Sequence, residues 1–139
     1  MSFIEWDEDK FSVGVSALDR DHMIIADLID QFHDAHAAGK GEETLENIFQ
    51  VLMAYTLSHF EREEALMEKA GYADLQAHRA GHEKLKDDLG EMHARFIEHE
   101  VGVVPDMLAF LNNWWHFHIL EKDHAYIGDL RAHGLTDKP

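Results

Sequence analysis

The amino-acid sequence predicts an all-α fold: an up-down-up-down antiparallel four-helix bundle preceded by an N-terminal arm at residues 1–15. Two observations support this prediction. The 139-residue chain has only two prolines, and most of its nine glycines stand where a helix would stop. Between those stops, apolar residues recur at alternating spacings of three and four, as on a helix with one buried face. This length suits a single domain.

Each predicted helix has start and stop signals. The helices are expected at about residues 17–38, 43–70, 73–98 and 105–132. Ser16-x-x-Asp19 has the form of a capping box at the start of the first helix. Gly71 ends the second helix, and Pro105 suits the first turn of the fourth. The connections are short, which favours antiparallel neighbours.

Ionisable side chains interrupt the apolar face of every predicted helix. Burying so many polar groups without partners costs several kcal/mol for each ionised group. The summed cost is more than a whole domain's stability can offset. A single histidine on an apolar face is more often an ordinary core residue than a ligand, but the pattern across four helices favours a shared site. The residues on these faces are His22, His59, Glu63, His78, His82 and His118.

The apolar pattern of the fourth helix shifts after His118. The next inward-facing candidate is Asp123, five residues later instead of three or four. At about 100° per residue, that step turns the face by about 140°. Asp123 can therefore point inward only if its side chain reaches across or if the helix deforms locally.

The charge of the chain excludes several classes of partner. The sequence has 28 acidic and 12 basic side chains, 12 histidines, and a net charge of −16. This charge repels phosphate backbones and acidic lipids, so neither a nucleic acid nor a membrane is expected as a partner. The acidic N-terminus lacks the features of a secretory signal, and no apolar run reaches the roughly 20 residues of a membrane span. We expect a cytoplasmic protein.

The residue types of the site favour a pair of transition-metal ions. The absence of cysteine excludes thiolate ligands and disulfides, so any metal is bound by nitrogen and oxygen. Imidazole ligands suit a transition metal better than calcium or magnesium. Five imidazoles and two carboxylates are too many for one tetrahedral zinc, whereas two ions bridged by carboxylates fit.

At these residues the sequence resembles the hemerythrin family, specifically its single-domain bacterial members. The resemblance covers nearly the whole chain and includes the five-residue spacing between His118 and Asp123. The matching segments are Trp6, Val13-Gly14-Val15, Leu18-Asp19 before His22, His59-Phe60-Glu61-Arg62-Glu63, His78-x-x-x-His82, Trp114, His118-Ile119-x-x-x-Asp123 and Tyr126.

This resemblance implies a centre of two iron ions with an oxo or hydroxo bridge. The implied ligands are His78, His82 and His118 on one iron, His22 and His59 on the other, and Glu63 and Asp123 bridging both. The iron with two histidines would keep an open position. It would bind O₂ reversibly and hold it as hydroperoxide.

Apolar residues at helical spacing flank the two-histidine iron. They are expected to line a dry O₂ pocket that lacks a side-chain acid to drive O–O cleavage. The residues are Ile25, Phe60, Trp114, Trp115 and Ile119. Trp115 stands where relatives often have a smaller aliphatic residue, which narrows the pocket unless the indole turns toward a neighbouring helix.

Two further sets of residues are expected to lie outside the chemistry. Asp21 precedes His22 where many relatives have glutamine, a difference expected to change only surface charge. The remaining histidines have no counterpart in the pattern and are expected to be solvated or boundary residues. They are His33, His36, His93, His99, His116, His124 and His133.

The sequence leaves three functions open. The leading one is a protein that binds O₂ for carriage, storage or supply, with sensing as a variant, and that is not an enzyme. The alternative is a di-iron enzyme acting on peroxide, nitric oxide or ferrous iron. The third is a helical interaction module without metal, which the buried histidines disfavour. An oxygen-consuming partner protein is compatible with the leading function, and the sequence does not distinguish a monomer from a homo-oligomer.

Overall fold

The computed structural model describes residues 3–138 and contains only helices and connections within that range. The all-α prediction is confirmed, and the long helices form a four-helix bundle. The helices are α1 Glu8–Phe11, α2 Ser16–Ala37, α3 Glu42–Lys69, α4 Leu75–Ile97, α5 Val103–Phe117 and α6 Ile127–Ala132. None of the helices in this range is long and apolar enough to cross a lipid bilayer.

The fourth helical segment is not one continuous α-helix over residues 105–132. After α5, the chain forms a π-helical turn at His118–Asp123 and a 3₁₀ turn at His124–Tyr126 before α6 begins. A π-helix closes its hydrogen bonds between residues five apart, so it suits two inward-facing side chains at that spacing. Of the two alternatives that the step from His118 to Asp123 left open, the structure therefore has the local deformation.

The start of α2 differs from the expected capping box. Ser16 begins the helix, but the Asp19 carboxylate faces the arm, where it accepts hydrogen bonds from the Val13 N–H at 2.8 Å and the Ser12 hydroxyl at 2.6 Å. The Ser16 N–H donates instead to the Asp137 carboxylate at 2.7 Å. The helix thus begins where the motif predicts, but without a capping box, because the C-terminal tail supplies an acceptor that the local sequence does not reveal.

The core consists of two apolar clusters separated by a polar layer. On α2, His22 lies between Leu18, which belongs to the smaller cluster, and Ile25, which belongs to the larger one. On α3, Glu63 occupies the corresponding position. The helices therefore hold these polar side chains between two well-packed apolar regions, which exclude water from both sides.

Candidate metal centre

Seven buried side chains converge in this polar layer as two overlapping groups. The possible ligand atoms of each group lie within 4.8 Å of one another. One group is Glu63, His78, His82 and His118, and the other is His22, His59, Glu63 and Asp123. We call them the three-histidine group and the two-histidine group. All seven residues that the sequence indicated are thus brought together.

The Glu63 carboxylate gives one oxygen to each group. Its Oε1 lies 2.7 Å from His78 Nε2 and 3.1 Å from His82 Nε2, in the three-histidine group. Its Oε2 lies 3.2 Å from His59 Nε2, in the two-histidine group. Glu63 therefore spans both groups, as a bridging carboxylate would.

The Asp123 carboxylate is divided in the same way. Its Oδ1 lies 3.1 Å from His118 Nε2, and its Oδ2 lies 3.1 Å from His22 Nε2. Both oxygens are fully buried, and neither makes a hydrogen bond of good geometry to any residue in the range 3–138. The His22 and His59 Nε2 atoms are also 3.1 Å apart. Such convergence is costly for groups that face only each other and is expected of ligands to a common cation.

The donor set fits a pair of transition-metal ions. The three-histidine group offers three imidazoles and the two-histidine group offers two, and both share the oxygens of Glu63 and Asp123. Nitrogen-rich sites with carboxylates suit iron and its neighbours in the first transition series. Two cations would also neutralise the two buried carboxylates.

The electrostatics of the layer favour positive charge. Burial lowers the pKa of His22, but the close Asp123 and Glu63 carboxylates outweigh it and raise that pKa to about 9. The same two carboxylates likewise outweigh burial at two other imidazoles, and they raise the pKa of His78 to about 9 and that of His118 to about 10. Burial acts to raise the pKa of Glu63, but the surrounding imidazoles hold it well below its ordinary value. The carboxylates therefore hold protons on the imidazoles, and a metal ion would compete with those protons.

Asp21 is buried beside the site, so the expectation that it alters only surface charge was wrong. Its Oδ2 accepts a hydrogen bond from His59 Nδ1 at 2.9 Å, and Tyr55 and Arg62 donate to the same carboxylate. Burial alone would raise the pKa of Asp21, but these donors bring it below its ordinary value. The spacing of three residues from the buried Leu18 could have placed Asp21 on the edge of the apolar face.

Two further contacts to the site were not predicted. His82 Nδ1 lies 2.6 Å from Glu64 Oε2. The Tyr126 hydroxyl donates to Glu63 Oε2 at 3.1 Å, and burial raises the pKa of this tyrosine well above its ordinary value, so the hydroxyl keeps its proton. The helical period does not predict such contacts, because the two partners of each contact lie on different helical segments.

Two of the predicted pocket residues contact the three-histidine group. The Phe60 ring stacks on His82 at 3.8 Å between ring centroids, and the Trp114 ring stacks on His118 at 5.8 Å. Trp114 also lines a groove of about 490 Å³ between α4 and α5, which reaches the edge of His118. These aromatic rings restrict the movement of the imidazoles.

The other three predicted pocket residues are buried in the larger apolar cluster. Ile25 and Ile119 are almost completely buried there. Trp115 donates its indole N–H to the His22 carbonyl at 3.0 Å, and its ring packs against Phe11 of the arm at 4.8 Å. The Trp115 indole therefore turns toward α2 and the arm. That these five residues form an O₂ pocket stays a prediction.

The remaining histidines lie outside both groups. Three of them contact carboxylates elsewhere: His33 lies 3.1 Å from Asp34, His93 lies 2.6 Å from Glu46, and His99 lies 2.8 Å from Glu42. The seven positions are His33, His36, His93, His99, His116, His124 and His133, and none belongs to a metal-binding group found among residues 3–138.

Comparison with known proteins identifies the family to which this geometry corresponds. Residues 13–130 match the family model described as Hemerythrin HHE cation binding domain. The chain is 32% identical over 126 residues to the bacteriohemerythrin of Methylococcus capsulatus, covering 91% of this chain and 95% of that protein. It is 33% identical over 137 residues to the bacteriohemerythrin of Pseudomonas aeruginosa strain LESB58, covering 99% and 87%.

A solved structure gives the same relationship in three dimensions. The crystal structure of a wild-type hemerythrin superposes with a TM-score of 0.85 at 31% sequence identity, and the match covers 93% of this chain and 98% of that one. Both the order of the helices and the overall packing are therefore shared over almost the full length.

Proposed function

Because the chain belongs to the hemerythrin family, we propose that it holds two iron ions and binds O₂ reversibly, for oxygen carriage, storage, supply or sensing. The observation that carries the proposal is the division of each carboxylate between the two groups. Glu63 and Asp123 each direct one oxygen at the three-histidine group and the other at the two-histidine group. We propose a binding protein rather than an enzyme, located in the cytoplasm.

The two halves of the centre differ in the number of protein donors. The assigned ligands are His78, His82 and His118 in one half, His22 and His59 in the other, and Glu63 and Asp123 in both. One half thus has five donor residues and the other four, so the second half has room for a small ligand. When bound, the iron pair would supply electrons and an open coordination position for O₂.

The residues around the site favour binding over turnover. Ile25, Phe60 and Ile119 are buried and carry no proton that could be donated to oxygen. The buried Tyr126 hydroxyl is engaged with Glu63, and burial raises its pKa further, so it is a poor acid. The protein would therefore exclude water and withhold the protons that O–O cleavage requires.

An optical titration tests this function. We expect about two iron ions per chain and a visible spectrum that changes when O₂ is admitted to the anaerobically reduced protein and reverts when O₂ is removed. His118→Ala should lose iron, whereas His133→Ala, at an exposed position outside both groups, should retain it. A single zinc ion per chain would contradict the proposal. Sustained consumption of a reductant with O₂, peroxide or nitric oxide would instead support the di-iron enzyme.

A further inference from the structure

We propose that Asp21 is a positioning residue that retains the metal ion of the two-histidine half by holding His59 in its ligating orientation. The inference rests on the metal site of the proposed function and does not depend on oxygen binding. If it holds, the metal affinity of each half of the centre depends on one carboxylate that is not itself a metal ligand.

The His59 ring lies between Asp21 and the centre. Its Nδ1 is 2.9 Å from Asp21 Oδ2, while its Nε2 is 3.2 Å from Glu63 Oε2 and 3.1 Å from His22 Nε2. A carboxylate that accepts the Nδ1–H leaves the Nε2 lone pair free for a metal ion and increases its basicity. The contact therefore sets both the tautomer and the direction of the ring.

Asp21 is itself held rigidly. Arg62 donates from Nε to Oδ2 and from Nη2 to Oδ1, each at 2.8 Å, and the Tyr55 hydroxyl donates to Oδ1 at 2.7 Å. Paired hydrogen bonds of this kind between arginine and a carboxylate fix the plane of the carboxylate. The Asp21 side chain is only 4% exposed, so water competes little for these contacts.

In the three-histidine half, Glu64 occupies the corresponding position behind His82 but is more exposed than Asp21. His82 Nδ1 lies 2.6 Å from Glu64 Oε2, and Arg79 Nε donates to Glu64 Oε1 at 3.2 Å. The Glu64 side chain is 22% exposed. Each half of the centre therefore has one histidine whose Nδ1 contacts a carboxylate, and an arginine donates a hydrogen bond to that carboxylate.

The two-histidine half depends more strongly on its support. His22 Nδ1 is buried and has no hydrogen-bond partner among residues 3–138, so His59 is the histidine in this half with a carboxylate behind it. The half also has one imidazole fewer than its neighbour. Loss of the Asp21 contact should therefore weaken this half selectively.

Cobalt titration of the full-length, chelator-treated protein tests the inference. The wild type should bind two Co²⁺ ions per chain. Asp21→Asn removes the charge but keeps the shape, and it should weaken one of the two ions by about 10- to 100-fold, as is typical for loss of a carboxylate behind a histidine ligand. Glu61→Gln, an exposed carboxylate on α3, is the matched control and should bind both ions as the wild type does.

The absorption spectrum of the ion that remains identifies the half that is lost. The spectrum of Asp21→Asn with one Co²⁺ should match that of His59→Ala, whereas the spectrum of Glu64→Gln should match that of His82→Ala. Arg62→Gln, which changes a partly exposed side chain, should weaken the same ion as Asp21→Asn by a smaller factor and covers the case in which Asp21→Asn does not fold.

The outcomes separate this inference from the proposed function. If the wild type binds two ions and Asp21→Asn or Arg62→Gln binds both with unchanged affinity, the role of Asp21 is refuted and the metal site stands. The same holds if the Asp21 and Glu64 variants lose the same ion. If the wild type binds fewer than two ions, the metal site of the proposed function fails as well.

Discussion

Raising the pH from 6.5 toward 10 should destabilise the chelator-treated protein and leave the metal-loaded protein much less affected. Glu63 and Asp123 raise the pKa values of His22 and His78 to about 9 and that of His118 to about 10. A group whose pKa is higher in the folded state stabilises the fold fully below its unfolded pKa, here 6.5, and this contribution is lost as the pH rises through the folded value.

The size of the effect follows from the fully buried His22. The rise in its pKa from 6.5 to about 9 corresponds to about 3 kcal/mol, at about 1.4 kcal/mol per pKa unit. The three imidazoles share two carboxylates, so their contributions do not simply add. A total loss of at least about 3 kcal/mol is expected between pH 6.5 and 10. As metal ligands the imidazoles would be deprotonated at both ends of this range, so the dependence in the metal-loaded protein should be small.

Urea unfolding followed by circular dichroism, at intervals between pH 6 and pH 10, measures the effect. His22→Gln should make the fall in stability less steep because one of the titrating imidazoles is gone. His133→Gln changes an exposed histidine outside the layer and should keep the wild-type slope. A free energy of unfolding that stays constant or increases between pH 6.5 and 9 in the chelator-treated protein would refute the electrostatic reasoning.

Three other substitutions test single contacts. Tyr126→Phe leaves Glu63 without its hydroxyl donor and should cost about 1–3 kcal/mol in urea unfolding of the chelator-treated protein; an unchanged midpoint would mean that the bond adds nothing. Asp137→Ala removes the acceptor of the Ser16 N–H and should cost about 0.5–2 kcal/mol in thermal unfolding, with no loss of metal. Asp123→Asn should reduce the iron content below two per chain by elemental analysis, and retention of both ions would exclude it as a required bridge.

The positions of the candidate ligands could be predicted from the sequence because helical periodicity is local. His59 and Glu63 are four residues apart, as are His78 and His82, and this spacing places each pair on one face. The five-residue step between His118 and Asp123 also indicated either a side chain that reaches across or a locally deformed helix, and the structure has a π-helical turn there. These features depend only on the number of residues per turn.

The partners of those ligands could not be predicted in the same way. Asp21 reaches His59 across 38 positions of sequence, and Glu64 reaches His82 across 18. Such contacts depend on how far each helix is rotated and shifted relative to its neighbour, which is set by the packing of the whole core. For that reason the helical period can place Asp21 at the edge of the apolar face but cannot predict its contact with His59.

The sequence by itself determined the helical class and the polar layer with six of its residues, because these follow from periodicity and residue type. Asp123 falls outside the period, and its place in the site was implied by the resemblance to the hemerythrin family. The tertiary structure alone decided which oxygen of Glu63 and of Asp123 faces which group of histidines, that Asp137 holds the start of α2, and that Asp21 lies behind His59. The physical reason is the same in each case: a hydrogen bond or a shared ligand forms within about 3 Å, and only the packed core brings distant segments of the chain that close.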